Sequence, residues 1–300
     1  AWLIAVPYTA QRMLTLPPAE VYRKIIAAGH LAERLGAKML GLGAYTSVIG
    51  DGGKTIAREL DIAVTAGDSY TAALSVSATL DAARRMGIDA DTARIAVVGA
   101  SGSIGGAVAQ LLAPNVGAMV LVGRDRARLA RVRERVAAAG CPEVTVSTAV
   151  ADIRQAEIVV TVTSSGGSLV RPEMLRSGAV VCDVSRPRDV SRETSLARDD
   201  VLVIDGGLVH VPGDVDFGFD YGVPPQMTYG CMAETMALTF EGVFEDRSLG
   251  KALSLGQIRY IESVATKHGF TLAALRTFEH RLDERVIERV KARAHGGGQG

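Results

Sequence analysis

Short, mostly apolar runs, set apart by helix-length stretches, dominate the middle of the chain. They fall at residues 95–98, 119–122, 144–147, 158–162, 179–184 and 201–204. Runs of this length predict strands buried on both faces, and their alternation with segments such as 106–112 and 126–139 predicts a doubly wound parallel sheet. Each run closes on small or polar residues, including Gly123-Arg124, Thr163-Ser164-Ser165, Ser185-Arg186 and Asp205-Gly206. Ligands of open α/β sheets bind outside these carboxyl ends, so Thr163, Ser164, Ser185 and Gly206 belong to a predicted binding rim.

Upstream, residues 2–8 and 38–42 predict strands, with a third over 62–65. Pro17-Pro18 opens a helix over 19–35, whose apolar positions Val21, Ile25, Ile26, Leu31 and Leu35 recur at helical spacing. Between them, Tyr45, Thr46 and Ser47 sit in a loop at a strand end, where they are placed to face substrate. Gly67-Asp68-Ser69 reads as the cap of an Ala-rich helix over 69–86. Past Gly207 the pattern changes to an irregular loop over 210–225 and three helices over 230–244, 255–268 and 272–294, the last strongly charged.

The first run of the regular segment leads into Gly99-Ala100-Ser101-Gly102-Ser103-Ile104-Gly105. Glycines at this spacing, after a strand and opening a helix, permit a tight turn and close approach of the backbone to a pyrophosphate, which the helix N-terminus then attracts. The next strand ends in Arg124, with Arg126 and Arg128 nearby, where a site selective for NAD places an acidic residue. A guanidinium there suits a 2′-phosphate, so the expected cofactor is NADPH. The architecture expected is α/β: a doubly wound parallel Rossmann sheet over 90–205, flanked by 1–89 and 206–294. The two flanks together make a second, discontinuous α/β substrate domain, and 295–300 is a flexible tail.

Lys+Arg and Asp+Glu both number 33, giving a formal net charge of 0, which argues against bulk binding to nucleic acid or membrane surfaces. Three cysteines without a pairing pattern suit a reducing, cytoplasmic setting, and no apolar run approaches the ~20 residues of a membrane span. No His/Cys/Asp cluster has metal-ligand spacing. The opening Ala-Trp-Leu-Ile, without Met or a charged lead-in, reads as the continuation of a longer chain.

Cys231 is the sharpest candidate for chemistry. It follows a Pro-rich loop and Gly230 at the start of an apolar-periodic helix. The positive end of the helix dipole lowers a thiol pKa there, and a thiolate can attack a thioester to give an acyl-enzyme. A packing role for a lone cysteine is the alternative reading. Cys182 lies inside an apolar strand and reads as inert core; Cys141, in a Gly-Cys-Pro turn, reads as a surface residue. Glu234 reads as a capping and dipole partner of its own helix.

GASGSIG, GAYTSVIGD, TAGDSYTAA, DGG and above all YGCMAETMALTFEG resemble the long-chain acyl-[acyl-carrier-protein] reductases of cyanobacteria and their bacterial relatives, from about Leu14 to Phe270. VSRPRDV at 184–190 is similar to glutamyl-tRNA reductases. The resemblance implies NADPH-dependent reduction of a fatty acyl thioester to the aldehyde, with the acylated cysteine falling on Cys231. The thioester is carried by acyl carrier protein or coenzyme A, and an aldehyde-consuming enzyme is an implied partner; a homo-oligomer is allowed. His210 stands one position earlier than the family's histidine, as a proton donor or a plain loop residue. Tyr70 replaces a family histidine on the substrate side. Two other readings stay open: a noncovalent dehydrogenase of the shikimate or amino-acid type, which needs a Lys/Asp pair at the cleft, and a non-catalytic NADP-binding sensor.

Overall fold

The structure is a computed structural model that describes residues 1–296; the remainder of the predicted tail lies outside the described residues. His295 and Gly296, assigned to that tail from sequence, close the last helix instead.

The N-terminal lobe begins with α1 (Ala10–Thr15), whose first turn is capped by the Thr9 hydroxyl. Helix α2 (Pro18–Arg34) starts on a proline that needs no hydrogen-bond partner there and buries Val21, Ile25, Gly29 and Ala32 along one side. Strands β1 (Met39–Gly41) and β2 (Ala63–Thr65) pair in parallel, enclosing the short helices α3 (Tyr45–Val48) and α4 (Lys54–Arg58). Residues 2–8, expected as a strand, are irregular: they pair with no strand among the described residues, and Trp2 and Leu3 stay more than half exposed. The 45–47 stretch, read as loop, is the one turn of α3. The lobe closes with α5 (Asp68–Met86), which ends on Gly87 in the left-handed conformation at φ +77°.

The regular segment forms one six-stranded parallel sheet. Its elements are β3 (Arg94–Val98), α6 (Ser103–Leu112), β4 (Ala118–Val122), α7 (Arg126–Ala138), β5 (Val144–Ser147), β6 (Ile158–Thr161), β7 (Val180–Asp183), α8 (Arg192–Ala197) and β8 (Leu202–Asp205). The strand order is β5-β4-β3-β6-β7-β8, so the chain reverses direction across the sheet between β3 and β6. Alternate residues of every strand but the edge strand β5 feed two cores. Ile95, Met119, Ile158, Val180 and Leu202 face the helices α5, α6 and α7, whereas Ala96, Val120, Val159, Val181 and Val203 face short 3-10 turns around Ile153 and Met174. This two-sided burial is why the runs are mostly apolar. Helix α6 begins three residues before the expected 106, because the glycine turn itself is the helix entry.

Beyond the sheet come β9 (Leu208–His210), β10 (Met227–Tyr229), α9 (Gly230–Glu241), α10 (Leu255–Lys267), β11 (Thr271–Leu272), β12 (Arg276–Thr277), β13 (His280–Arg281) and α11 (Glu284–Gly296). β9 is paired on both sides, by β10 and β11. The helix expected over 272–294 is therefore real only from Glu284. Its first half pairs as strands, and Phe278 and Glu279, both at positive φ, turn the β12–β13 hairpin. Cys141, expected at the surface, is buried where the chain turns from α7 into β5, its thiol donating to the Glu143 carbonyl. Among the described residues, no helix is long and apolar enough to cross a membrane and no cluster suits a metal ion.

Glu234 ties the flanking segments together. Fully buried, it accepts hydrogen bonds from Thr65 Oγ1 at 2.6 Å, Ser248 Oγ at 2.5 Å and the Tyr70 N–H at 2.9 Å. It thus satisfies the first turn of α5 rather than that of its own helix, which corrects the capping role expected for it. Burial pushes its carboxyl above the usual carboxylate range, against the pull of those bonds. Removing it strands two hydroxyls and an N–H in the core. Glu234→Ala is expected to cost about 2–4 kcal/mol in urea unfolding, and Glu234→Gln, which keeps one acceptor, distinctly less.

Candidate active site

A cavity of about 950 Å3 opens at the carboxyl ends of β3, β4, β6 and β7, at the point where strand order reverses. Three surfaces meet in it: the glycine turn, the start of α9, and the α1–α3 region of the N-terminal lobe.

The three fingerprint glycines do different work. A Cβ on Gly99, which sits at φ +89°, would lie 2.1 Å from the Val162 carbonyl oxygen, and one on Gly105 would lie 2.3 Å from that of Gly99. These two are required by packing between strand, turn and helix. A Cβ on Gly102 would meet nothing closer than 3.2 Å, so this glycine leaves the cavity side bare. Helix α6 has no side-chain cap, which leaves first-turn N–H groups free for an anion. Ser101, Ser103 and Ile104 line the cavity beside the glycines; Ala100 does not, being fully buried beneath the turn. The cradle fits a dinucleotide pyrophosphate.

Arg124 lies exposed on the rim, with no carboxylate in salt-bridge range among the described residues. The neighbouring Asp125, the one group that would suit an unphosphorylated ribose, is occupied. Its carboxylate caps α7 through the Arg128 N–H at 3.0 Å and pairs with the Arg128 guanidinium at 3.1 Å. Arg126 is exposed on α7 and absent from the wall, whereas Arg128 reaches it.

At the ends of β6 and β7, the buried carboxylate of Asp189 accepts from Ser185 Oγ (2.6 Å), Thr163 Oγ1 (2.7 Å) and Ser165 Oγ (2.9 Å). Thr163 and Ser185, expected to meet cofactor, both line the cavity, and their hydroxyls are oriented by Asp189. Behind them Asp183 is buried and pushed up to about 6, despite accepting from the Val190 and Ser185 N–H groups. Ser164 and Gly206 line the cavity.

Cys231 is the second residue of α9 and half-buried on the cavity wall. The backbone of Gly67 rests on it so closely that a Cβ there would come within 2.2 Å of the Cys231 Cα. The backbone N–H groups of Ala44 and Met232, the latter in the first turn of α9, act on the sulfur to lower its pKa. Burial outweighs them, and with Asp68 and Glu234 adding repulsion the thiol is pushed up to about 11. The depressed thiol pKa expected from sequence is therefore reversed: position favours the thiolate, while depth and two carboxyls oppose it.

Of the remaining sites, Tyr45 and Ser47 line the cavity. The Tyr45 ring is buried and its hydroxyl has no hydrogen-bond partner among the described residues, while burial and the nearby Asp189 push its pKa up. Thr46 turns away and donates to the Gly43 carbonyl at 2.7 Å. Tyr70 is packed in the main core, pushed up to about 12 by burial, and is not on the wall. His210 is not on it either. It pairs with Met227 at the end of β9 away from Cys231, since Tyr229, next to α9, is opposite Leu208. Sequence reasoning missed Asp68, which lines the cavity and accepts from Ser103 Oγ at 2.6 Å. Burial pushes it up to about 7, the Ser103 bond and Lys251 pulling the other way. Its only signal in the sequence was the helix start it occupies. The far end of the cavity is apolar, formed by Met13, Leu14, Leu16, Val48 and Ile49, with Lys251 at its edge.

A second, wider-mouthed hollow of about 1100 Å3 lies at the opposite ends of the strands. Two of its arginines pair with acidic neighbours, Arg94 with Glu143 and Arg176 with Glu157.

The sheet order, the reversal point and the glycine cradle decide the fold. The central sheet is a Rossmann domain. Residues 80–206 match the Shikimate / quinate 5-dehydrogenase family. The chain is 32% identical, over 96% of its length, to "Aminotransferase PigE" of a Serratia species, and spans about a third of that protein (34%). It is 27% identical over 84% of its length to the long-chain acyl-[acyl-carrier-protein] reductase of Synechococcus elongatus, covering 76% of that enzyme. Among solved structures, quinate dehydrogenase from Corynebacterium glutamicum in complex with NAD aligns with 59% of this chain and 71% of its own, at 16% identity and a TM-score of 0.38.

Arg124→Ala is expected to weaken NADPH binding by about 10- to 100-fold, the worth of a charge-assisted bidentate pair, and NADH binding by less than about 3-fold. Fluorescence titration with both nucleotides measures the difference.

Proposed function

We propose that the chain reduces an acyl thioester, carried by acyl carrier protein or coenzyme A, to the aldehyde through an acyl-enzyme on Cys231, with NADPH as reductant. One observation carries this reading: the glycine cradle, the Cys231 thiol and an apolar end all open into the same cavity. The 27% identity to the Synechococcus reductase, over 84% of this chain, supports it.

In this reading the apolar residues around Leu14 and Val48 take the acyl chain and exclude water from the thioester. The Ala44 and Met232 N–H groups stabilise negative charge on sulfur as it enters and later leaves the carbonyl carbon. Gly99, Gly102, Gly105 and Arg124 hold NADPH, which when bound supplies the hydride. The buried Tyr45 hydroxyl offers an unspent hydrogen bond to a ligand in the same cavity. The aldehyde leaves for a second enzyme that accepts it.

A noncovalent dehydrogenase remains a second reading, favoured by one observation. Asp68 and Lys251 face the same cavity, giving the acid–lysine pair such an enzyme needs, beside a domain that matches the Shikimate / quinate 5-dehydrogenase family. Incubating the protein with acyl-coenzyme A thioesters of two to sixteen carbons, and the matching acyl carrier proteins, without NADPH distinguishes the two. The acyl-enzyme reading expects a mass adduct on the Cys231 peptide, absent in Cys231→Ser, and loss of aldehyde formation by at least about 10³-fold in that variant. If no thioester gives an adduct and Cys231→Ser still oxidises an alcohol, the covalent reading fails.

A further inference from the structure

We propose that Asp68 is the catalytic base of the site: it takes the proton from the Cys231 thiol as the sulfur attacks, and returns it to the departing thiol. The proposal rests on the acyl-enzyme reading. It is needed because the thiol is not preformed as a thiolate; depth and neighbouring charge hold its proton on.

Elimination and placement both lead to Asp68. It is the one carboxyl group on the cavity wall among the described residues, and no histidine lines that wall. Glu234 is enclosed, its oxygens taken by Thr65, Ser248 and Tyr70. Asp189 is taken by three hydroxyls. Asp68 follows Gly67, whose backbone at φ +70° lies directly on Cys231 in a space where no Cβ fits. That contact brings Asp68 close enough to the start of α9 for its charge to act on the Cys231 thiol. Oδ2 accepts from Ser103 in the nucleotide cradle, and Oδ1 has no hydrogen-bond partner among the described residues. The charged and titratable groups facing Asp68 are Cys231 and Glu234 on α9 and Lys251 in the segment after it; α6 presents only the Ser103 hydroxyl. At about 7, the carboxyl is half in its basic form at neutral pH, matched to the operating range of a general base.

The step balances without a redox partner. The Cys231 S–H proton passes to the Asp68 carboxylate while the S–C(acyl) bond forms; the C–S bond of the incoming thioester breaks, and its thiolate leaves with the proton from Asp68. The net reaction is thioester exchange.

The test is the rate at which iodoacetamide alkylates Cys231, read by peptide mass spectrometry from pH 5 to 10, in the full chain and in Asp68→Asn. The asparagine keeps the shape and the Ser103 bond but cannot accept the proton. The full chain should show an inflection near pH 7 below the rise toward 11, because losing one proton from the pair gives access to the reactive sulfur; D68N should lack it. Acyl transfer from octanoyl-coenzyme A should fall about 10²-fold or more in D68N, while NADPH affinity stays within about 3-fold. Ser103→Ala, which removes only the positioning bond, should retain the inflection. Matching pH profiles in wild type and D68N overturn the role of Asp68. If the inflection is present but no thioester acylates wild-type Cys231, the reductase reading fails and the acyl step with it, while the Asp68–thiol pair itself is upheld.

Discussion

The contact between the first turns of α5 and α9 is the constraint on which the site depends. Neither helix carries a side-chain cap of its own. Instead Glu234, from α9, reaches the Tyr70 N–H of α5, and the glycine before α5 lies against the cysteine that opens α9. A buried carboxyl is costly unless its hydrogen bonds are complete, so this junction has one geometry or fails. Asp68 and Cys231 inherit their positions from it. The sulfur is therefore set by an interaction one helical turn deeper than the cavity.

The sheet supplies the other half of the arrangement. Because its strands are buried on both faces, β3 and β6 hold the glycine turn and the Thr163–Ser165 rim without help from long helices on the second face, where short 3-10 turns suffice. The reversal of strand order leaves a gap at their carboxyl ends, and the flanking segments fill its far side with apolar residues from α1 and α3. Nucleotide cradle, thiol and apolar end come from three stretches far apart in the chain, meeting where the sheet changes direction.

What was legible from residues alone was whatever is set locally. The six strands declared themselves through short, mostly apolar runs, the glycine turn through its spacing, and Cys231 through the glycine and helix around it. The cores of Lys38–Leu42 and the α2 and α10 helices were readable for the same reason. Features made by long-range contact were not. Residues 2–8 have strand composition but pair with no strand among the described residues; residues 271–281 were read as helix, but pairing with β9 and a hairpin turn override it. Asp68 looked like an ordinary cap residue and Asp189 drew no reading of its own, since their importance arises only when separate segments enclose them. The thiol pKa went wrong for the same reason: helix position is a local property, whereas desolvation by the N-terminal lobe is not.

Three carboxyl groups, Asp68, Asp183 and Glu234, hold protons more tightly in the folded chain than free side chains do. An unfolded aspartate titrates at about 4. Between that pH and about 6 to 7, the native protein therefore carries bound protons that the unfolded chain has lost, so these groups make folding less favourable as pH rises through that window. The formal charge balance of 0 consequently does not describe the native molecule in mildly acidic solution, where it is more cationic than its composition implies. Any ligand that changes the ionisation of Asp68 on entering the cavity will exchange protons with the medium, and its binding heat will vary with the ionisation enthalpy of the buffer.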